Sequence, residues 1–70
     1  MRRTFNVVIE RDPDTKRYVG HVPGWPGAHS QGASIDELQR NLLKILESML
    51  DEGEPQLESE FVGVHTIQVP

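Results

Sequence analysis

The chain has 70 residues, no cysteine and a net charge of −4 at neutral pH. One domain of this length buries only about 60% of the surface that its unfolded chain exposes, and no disulfide or thiolate-bound metal strengthens it. The acidic balance argues against nucleic acid as a direct ligand and favours a basic protein partner. Because the core must be thin, we also expect a homo-oligomer, a dimer or a tetramer.

Hydropathy excludes a membrane-spanning segment, because no apolar run approaches the roughly 20 residues that cross a bilayer. The N-terminus carries no signal-peptide pattern. We therefore predict a cytoplasmic protein that has no membrane partner. No internal repeat or low-complexity segment divides the chain, so residues 1–70 are expected to form a single domain.

Three strand signals precede the only helix signal. Residues 4–10 alternate between apolar and polar side chains, which is typical of a half-buried strand. Pro13 lies between two aspartates in residues 11–16 and predicts a turn. Residues 17–22 are then the returning strand of a hairpin, and residues 28–31 are a short third strand.

A corner rich in proline and glycine separates the second and third strands. Pro23 and Pro26 lack N–H donors, and Gly27 permits a positive φ, so a strand ladder cannot continue through them. Gly32 ends the third strand. Trp25, the lone tryptophan, lies inside the corner and has two interpretations. It is either a lid packed over the end of the core or an aromatic anchor for a partner.

Ser34 and Glu37 form a capping box that predicts the start of a helix. The helix is expected over residues 35–52, with Gly53 as its C′ residue and Pro55 preventing its continuation. At the helical period the apolar residues lie on one face, with a central stripe and flanking positions. They are Ile35, Leu38, Leu42, Leu46 and Met49, flanked by Leu43, Ile45 and Leu50.

Residues 54–60 form a polar connection, and residues 61–69 predict a last strand. Both faces of this strand are largely apolar or neutral, which suits a central strand or one that partner contacts cover. The chain is therefore predicted to be a two-layer α+β domain with an antiparallel sheet, the order β-β-β-α-β and one amphipathic helix on one face. The other face of the sheet is left open, and we expect Val62 and Val64 to contribute to it.

No motif in the chain predicts catalysis. Nucleotide-binding loops, metal-spaced Cys/His sets and nucleophile elbows are absent from the sequence. His21, His29 and His65 fall on predicted strands, where three imidazoles would bind zinc if they converged or would be unrelated if they did not. A metal-dependent nuclease needs several carboxylates gathered on the sheet to hold its metal ions. Among the carboxylates of this chain, only Glu10 lies within a predicted strand. We predict a non-enzymatic chain with no cofactor and no metal.

Four residues are candidates for contacts with a partner. The fold does not obviously require the identity of Trp25 or His29, and Val62 and Val64 belong to the apolar last strand. We therefore expect a partner to touch some of these side chains.

A pattern of prolines, glycines and a capping residue connects the second strand to the helix. It comprises Val22-Pro23 at the strand end, Pro26-Gly27 in the corner, Gln31-Gly32 after the third strand, and Ser34 ahead of Asp36-Glu37. This pattern resembles the HicB-like antitoxin family, and the resemblance covers about residues 4–53. It implies a partial ribonuclease-H-like sheet with one helix and without that enzyme's active carboxylates.

The resemblance also implies a function. Antitoxins of this kind neutralise HicA, a small basic toxin that cleaves messenger RNA with a histidine of its own, by occluding its RNA surface. His29 accordingly inherits no catalytic role. The chain looks like a short member that lacks the C-terminal DNA-binding domain of many relatives. Two alternatives remain open: an orphan homo-oligomeric regulatory domain without a toxin partner, and a metal-dependent nuclease.

Overall fold

A computed structural model describes residues 3–53 and 55–70. In these residues an antiparallel sheet of three strands in the order β1-β2-β3 is followed by one helix. The elements are β1 (Val8–Arg11), β2 (Tyr18–His21), β3 (His29–Gly32) and α1 (Ile35–Asp51). This arrangement confirms an α+β domain with an antiparallel sheet. No helix in the described part of the chain combines the length and the apolarity needed to cross a membrane.

The hairpin of β1 and β2 closes through the turn around Asp12. Its carboxylate accepts hydrogen bonds from the N–H groups of Asp14 at 2.8 Å and Thr15 at 3.3 Å. Its backbone carbonyl accepts another from Lys16, which has a φ of 63°. Side chain and backbone of one aspartate therefore hold the turn, as the sequence predicts for an Asp-Pro-Asp segment.

β1 begins at Val8, later than predicted, and the corner explains why. Val8 lies opposite His21 in the ladder. Continuing this register toward the N-terminus would place Asn6 opposite Pro23, which has no N–H to donate. The ladder consequently stops at Val8.

The corner between β2 and β3 is built from tight turns. Trp25 N–H donates to the carbonyl of Val22 and Ala28 N–H donates to the carbonyl of Trp25, both at 3.2 Å. Val22 N–H in turn donates to the carbonyl of Ala28 at 2.9 Å. Gly24 and Gly27 both have a φ of +82°, a backbone conformation that glycine adopts without strain. The glycines thus reverse the chain and bring two apolar residues, Val22 and Ala28, into the core.

The helix is capped as the sequence predicts. Ser34 has an extended backbone, and its hydroxyl accepts a hydrogen bond from Glu37 N–H at 3.1 Å. The carboxylate of Glu37 accepts from Ala33 N–H at 3.0 Å, one residue before the cap. At the other end the helix finishes at Asp51, and Gly53 has a φ of +101°. Both helix ends therefore follow from local sequence.

The core lies between α1 and the corner end of the sheet. Its buried residues are Val22, Ala28, Leu38, Leu42 and Leu46. Phe5, Val7, Trp25 and Met49 pack against this core from the side. The apolar arc of the helix is narrower than predicted, because Ile35 is 43% exposed and Leu43 is 56% exposed.

Two glycines let the helix lie close to the sheet. A Cβ on Gly20 would be 3.0 Å from Leu38 Cδ2, and a Cβ on Gly32 would be 2.8 Å from the backbone nitrogen of Leu38. The helix accordingly packs over β3 and β2. Across the described residues, no Cα of α1 comes within 8 Å of a Cα of β1. β1 is therefore the strand that the helix leaves uncovered.

The predicted last strand is not formed. Residues 55–70 contain no helix or strand, and Glu54 of the predicted connection lies outside the described residues. Four apolar side chains of residues 61–69 are 82–93% exposed: Val62, Val64, Ile67 and Val69. The prediction of a last strand in the sheet of this chain is thus wrong. A strand requires a neighbour for its backbone groups, and residues 61–69 have none here.

Candidate partner-binding surface

The sheet has one face against the helix and one open face. A Cβ added to Gly20 would point at Leu38 of the helix. Gly20 and its ladder partners Ile9 and Ser30 therefore face the helix. Neighbouring positions along each strand point the other way. The open face therefore carries Val8, Glu10, Val19, His21, His29 and Gln31.

A shallow depression of about 460 Å³ lies on the open face. Its side chains are mixed in character: Val19 is apolar and 38% exposed, and Glu10 and Gln31 lie beside it. Glu10 is opposite Val19 in the first ladder, and Gln31 is opposite Val19 in the second. An apolar centre between polar side chains is the usual composition of a protein-binding surface.

Two of the three histidines meet on this face. His21 and His29 are directly opposite each other across β2 and β3, a position in which Cβ atoms are about 4.5–5.5 Å apart. His65 belongs to residues 61–69, outside the sheet. Within the described ranges, no group of three or more His, Cys, Asp or Glu side chains is placed to hold a metal ion. His21 and His29 are thus neighbours across two strands, and His65 is not part of their group.

Trp25 lies at the end of the core and not on the open face. Its ring meets the ring of Phe5 edge to face, with centroids 4.9 Å apart and an interplanar angle of 84°. The guanidinium of Arg3 lies 5.4 Å from the Trp25 centroid and 5.6 Å from that of Phe5. These contacts favour the interpretation of Trp25 as a lid over the core.

The chain after the helix crosses the corner beside Trp25. Glu58 N–H donates to the carbonyl of Gly24 at 2.8 Å, and a Cβ on Gly24 would collide with the carbonyl of Ser59. A small cavity of about 130 Å³ remains between this crossing and Phe5, and Phe61 borders it. The close approach at Gly24 was not predicted from the sequence. The sequence signal for it was a glycine next to Pro23, which was interpreted only as a position that permits a positive φ.

The four predicted contact residues do not form one site. His29 lies on the open face, Trp25 closes the core, and Val62 and Val64 lie in residues 61–69, outside the sheet. Glu10, Val19 and Gln31 were not predicted from the sequence to share a surface with His29. Alternation along each strand indicated their faces, but only the register joins the three strands into one surface.

Comparison with known proteins gives three similar chains. The sequence is 43% identical over 70 residues to a UPF0150 protein of Thermotoga maritima. This alignment covers 99% of this chain and 93% of the relative. It is 41% identical over 68 residues to a UPF0150 protein of Synechocystis sp., with 97% of each chain covered. A UPF0150 protein of Archaeoglobus fulgidus is 38% identical over 65 residues, with 93% of each covered. No protein-family model and no solved structure matches the chain.

Proposed function

The chain belongs to the UPF0150 family, and we propose that it is a non-enzymatic protein-binding domain that neutralises a HicA-type toxin. In this proposal the domain covers the surface with which a small basic toxin binds messenger RNA. The residues that suggest it are those of the HicB-like pattern from the second strand to the helix cap. The finer fold, a partial ribonuclease-H-like sheet with one helix, is part of the same proposal.

The observation that supports it best is the open face of the sheet. An antiparallel sheet can expose one face to water, but its strands then alternate cleanly between apolar and polar residues. Here Val8 and Val19 interrupt the polar face, and a depression of about 460 Å³ surrounds Val19. A partner that fills this depression would remove the apolar side chains from water.

Charge supports a basic partner. The chain carries eleven acidic and seven basic residues, which leaves a net charge of −4. Opposite net charges accelerate the encounter of two proteins and disfavour partners of like charge. The open face itself contributes Glu10 and two imidazoles, so its polar rim has hydrogen-bonding groups for a basic surface.

The decisive experiment is coexpression with the small protein encoded beside this gene. If that protein is basic and toxic, we expect it to copurify with this chain and to lose its RNA cleavage in the complex. A basic neighbour that neither binds the chain nor is silenced by it would refute the proposal.

One substitution tests the surface. Val19→Lys places a positive charge in the centre of the open face, and we expect at least about a tenfold weaker complex, because an unpaired ammonium group would be desolvated against a basic partner. Leu43→Lys is the matched control, since Leu43 is exposed on the helix and away from the sheet. Isothermal titration calorimetry would measure both. Equal affinities of the two variants would exclude the open face as the contact.

The second candidate is a homo-oligomeric regulatory domain of the same family that has no toxin partner. The observation that favours it is the exposed apolar segment of residues 61–69, which a second copy would cover. The coexpression experiment separates the two candidates, because only the first requires a toxic neighbour.

A further inference from the structure

Residues 61–69 have the composition of a strand without being one. They include no Lys, Arg, Asp or Glu, and six of the nine are β-branched or aromatic. Val62, Val64, Ile67 and Val69 are 82–93% exposed. Single exposed apolar residues are ordinary, but a run of them on a β-prone, uncharged segment is a template for pairing with another strand.

The sheet offers one suitable edge. In the order β1-β2-β3, both β1 and β3 are edge strands. The outer side of β3 is already engaged, since the amide of Asn41 donates to the carbonyl of Gln31 at 2.9 Å and the helix lies against Gly32. β1 pairs with β2 alone among the described strands and has no helix residue beside it. An edge of this kind presents a row of unpaired backbone donors and acceptors.

We propose that residues 61–69 of one chain add as a fourth strand to the β1 edge of a second copy, and that the two copies exchange these strands reciprocally. The unit is then a two-fold dimer in which each sheet has four strands. Exchange of an identical element between two copies is a low-cost route to a dimer, because both strands make the same contacts.

The dimensions of the segment fit this exchange. The Cα radius of gyration is 13.7 Å, whereas a compact chain of this length has about 11 Å, so part of the chain extends from the body. Phe61 stays against the corner, and the residues after it leave the body. Nine residues in a strand span about 30 Å, enough to follow residues 4–11 of a second copy.

Charge selects a second copy over a basic partner. Residues 61–69 carry no carboxylate with which to attract a basic protein. The proposed receiving stretch, residues 4–11, is uncharged up to Ile9 and then carries one acidic and one basic residue, Glu10 and Arg11, so it has no net charge. Two acidic chains that meet through their neutral segments avoid placing like charges opposite each other.

The buried area is sufficient for a stable dimer. A segment of about 1 kDa exposes roughly 1,450 Å² when unfolded. If half of each exchanged segment and a matching area of each body are covered, the interface totals roughly 2,900 Å². That exceeds the roughly 1,600 Å² of a standard interface and lies in the range of obligate dimers.

Sedimentation of the whole chain tests the proposal first. We expect a species of twice the 7.9 kDa chain mass. Val64→Pro removes a backbone donor from the middle of the segment and should weaken dimerisation at least tenfold, whereas Val64→Thr keeps both the donor and the β-propensity and should stay within about threefold. Circular dichroism of the helix verifies that both variants fold. A monomer at every concentration, or a dimer that Val64→Pro leaves unchanged, would overturn the proposal.

A mixed-label experiment identifies the edge. The chain has no cysteine, so Val64→Cys carries a single spin label. When the spin-labelled chain is mixed with an isotopically labelled wild-type chain, we expect the amide signals of residues 4–11 in the wild-type chain to broaden. Broadening confined to β3 would overturn the assignment to β1. In a second sample the spin-labelled chain itself carries the isotope and is diluted with unlabelled wild-type chain. If residues 4–11 broaden only in this second sample, the segment closes on its own sheet and the exchange is wrong.

The dimer and the proposed toxin complex are separable. The first depends on residues 61–69 and β1, and the second depends on the open face around Val19. Val19→Lys is therefore expected to leave the dimer intact, and Val64→Pro reports on the dimer whether or not a toxin exists.

Discussion

Gly24 is the residue at which two separate backbone requirements coincide. Its φ is +82°, and its missing side chain leaves room for the carbonyl of Ser59. Gly27 has the same φ of +82°, but nothing lies within 4 Å of the position its Cβ would occupy. The two glycines therefore separate the energetic effect of a positive φ from that of a close approach.

Alanine at these two positions should give different losses of stability. Gly27→Ala is expected to cost about 1–2 kcal/mol, the penalty of an L-residue in the left-handed region. Gly24→Ala should cost roughly 1 kcal/mol more, because the displaced chain also loses the hydrogen bond from Glu58. Urea unfolding of both variants measures the difference. Equal losses would mean that residues 57–61 do not cross the corner at Gly24.

Ser34 is the second residue whose role is local. Ser34→Ala removes the acceptor for the N–H of Glu37 and should lower the free energy of unfolding by about 1 kcal/mol. Ser34→Asp is the control, because aspartate is an equally good N-cap and should stay close to wild type. Chemical denaturation followed at 222 nm, the helix wavelength, compares the variants. An unchanged midpoint for Ser34→Ala would place the start of the helix elsewhere.

At the scale of elements, the packing of α1 on β2 depends on one glycine and one leucine. The Cβ of an alanine at position 20 would lie 3.0 Å from Leu38 Cδ2 and 3.3 Å from Val7 Cγ1. Gly20 has no positive φ, so a substitution there tests space alone. We expect Gly20→Ala to destabilise the domain by about 1–3 kcal/mol through overpacking.

A double-mutant cycle measures the coupling energy between positions 20 and 38. Leu38→Ala alone should cost about 2–5 kcal/mol, since Leu38 is fully buried. In the double variant the new methyl group occupies part of the space left by Leu38, so the combined loss should be smaller than the sum. A coupling of about 0.5–3 kcal/mol is typical of residues in contact. Strict additivity would show that the helix does not approach β2 at Gly20.

At the scale of the whole molecule, the sheet is incomplete on one side. The helix covers β2 and β3, whereas β1 has neither a helix beside it nor a strand on its outer edge in the described structure. In the described part of the chain, residues 61–69 are a β-prone segment that joins no strand. Completion of the sheet by a second copy would join the unused edge to the unused segment. The open face would remain available for a different partner.

Much of the fold was predictable because its causes are local. Asp12 closes its own turn, Ser34 and Glu37 start the helix, and Gly53 follows its end. The spacing of the buried leucines predicted which helix face packs on the sheet. The predictions were wrong where distant residues decide. β1 is shorter than its alternation suggested because Pro23 lies opposite its extension, and Ile35, which was expected to pack on the sheet, is 43% exposed.

The candidate surface was less predictable than the fold. His29 was identified as a residue that the fold does not require, but its neighbours His21, Val19 and Glu10 are defined by the register across three strands. A shift of one residue in that register would send each of them to the opposite face. The position of Trp25 was also not predictable from the sequence, because its ring packs on Phe5 in a distant segment of the chain.

The sequence by itself determined the elements that depend on near neighbours: the hairpin turn, the corner, the helix and its caps, and the β-prone character of residues 61–69. Only the tertiary structure decided that Gly24 is a site of close approach, that two histidines meet on an open face, and that residues 61–69 pair with none of the described strands of their own chain. The physical reason is that turns and helices form their hydrogen bonds within a few residues. A strand forms its hydrogen bonds with a distant segment, which can belong to another molecule.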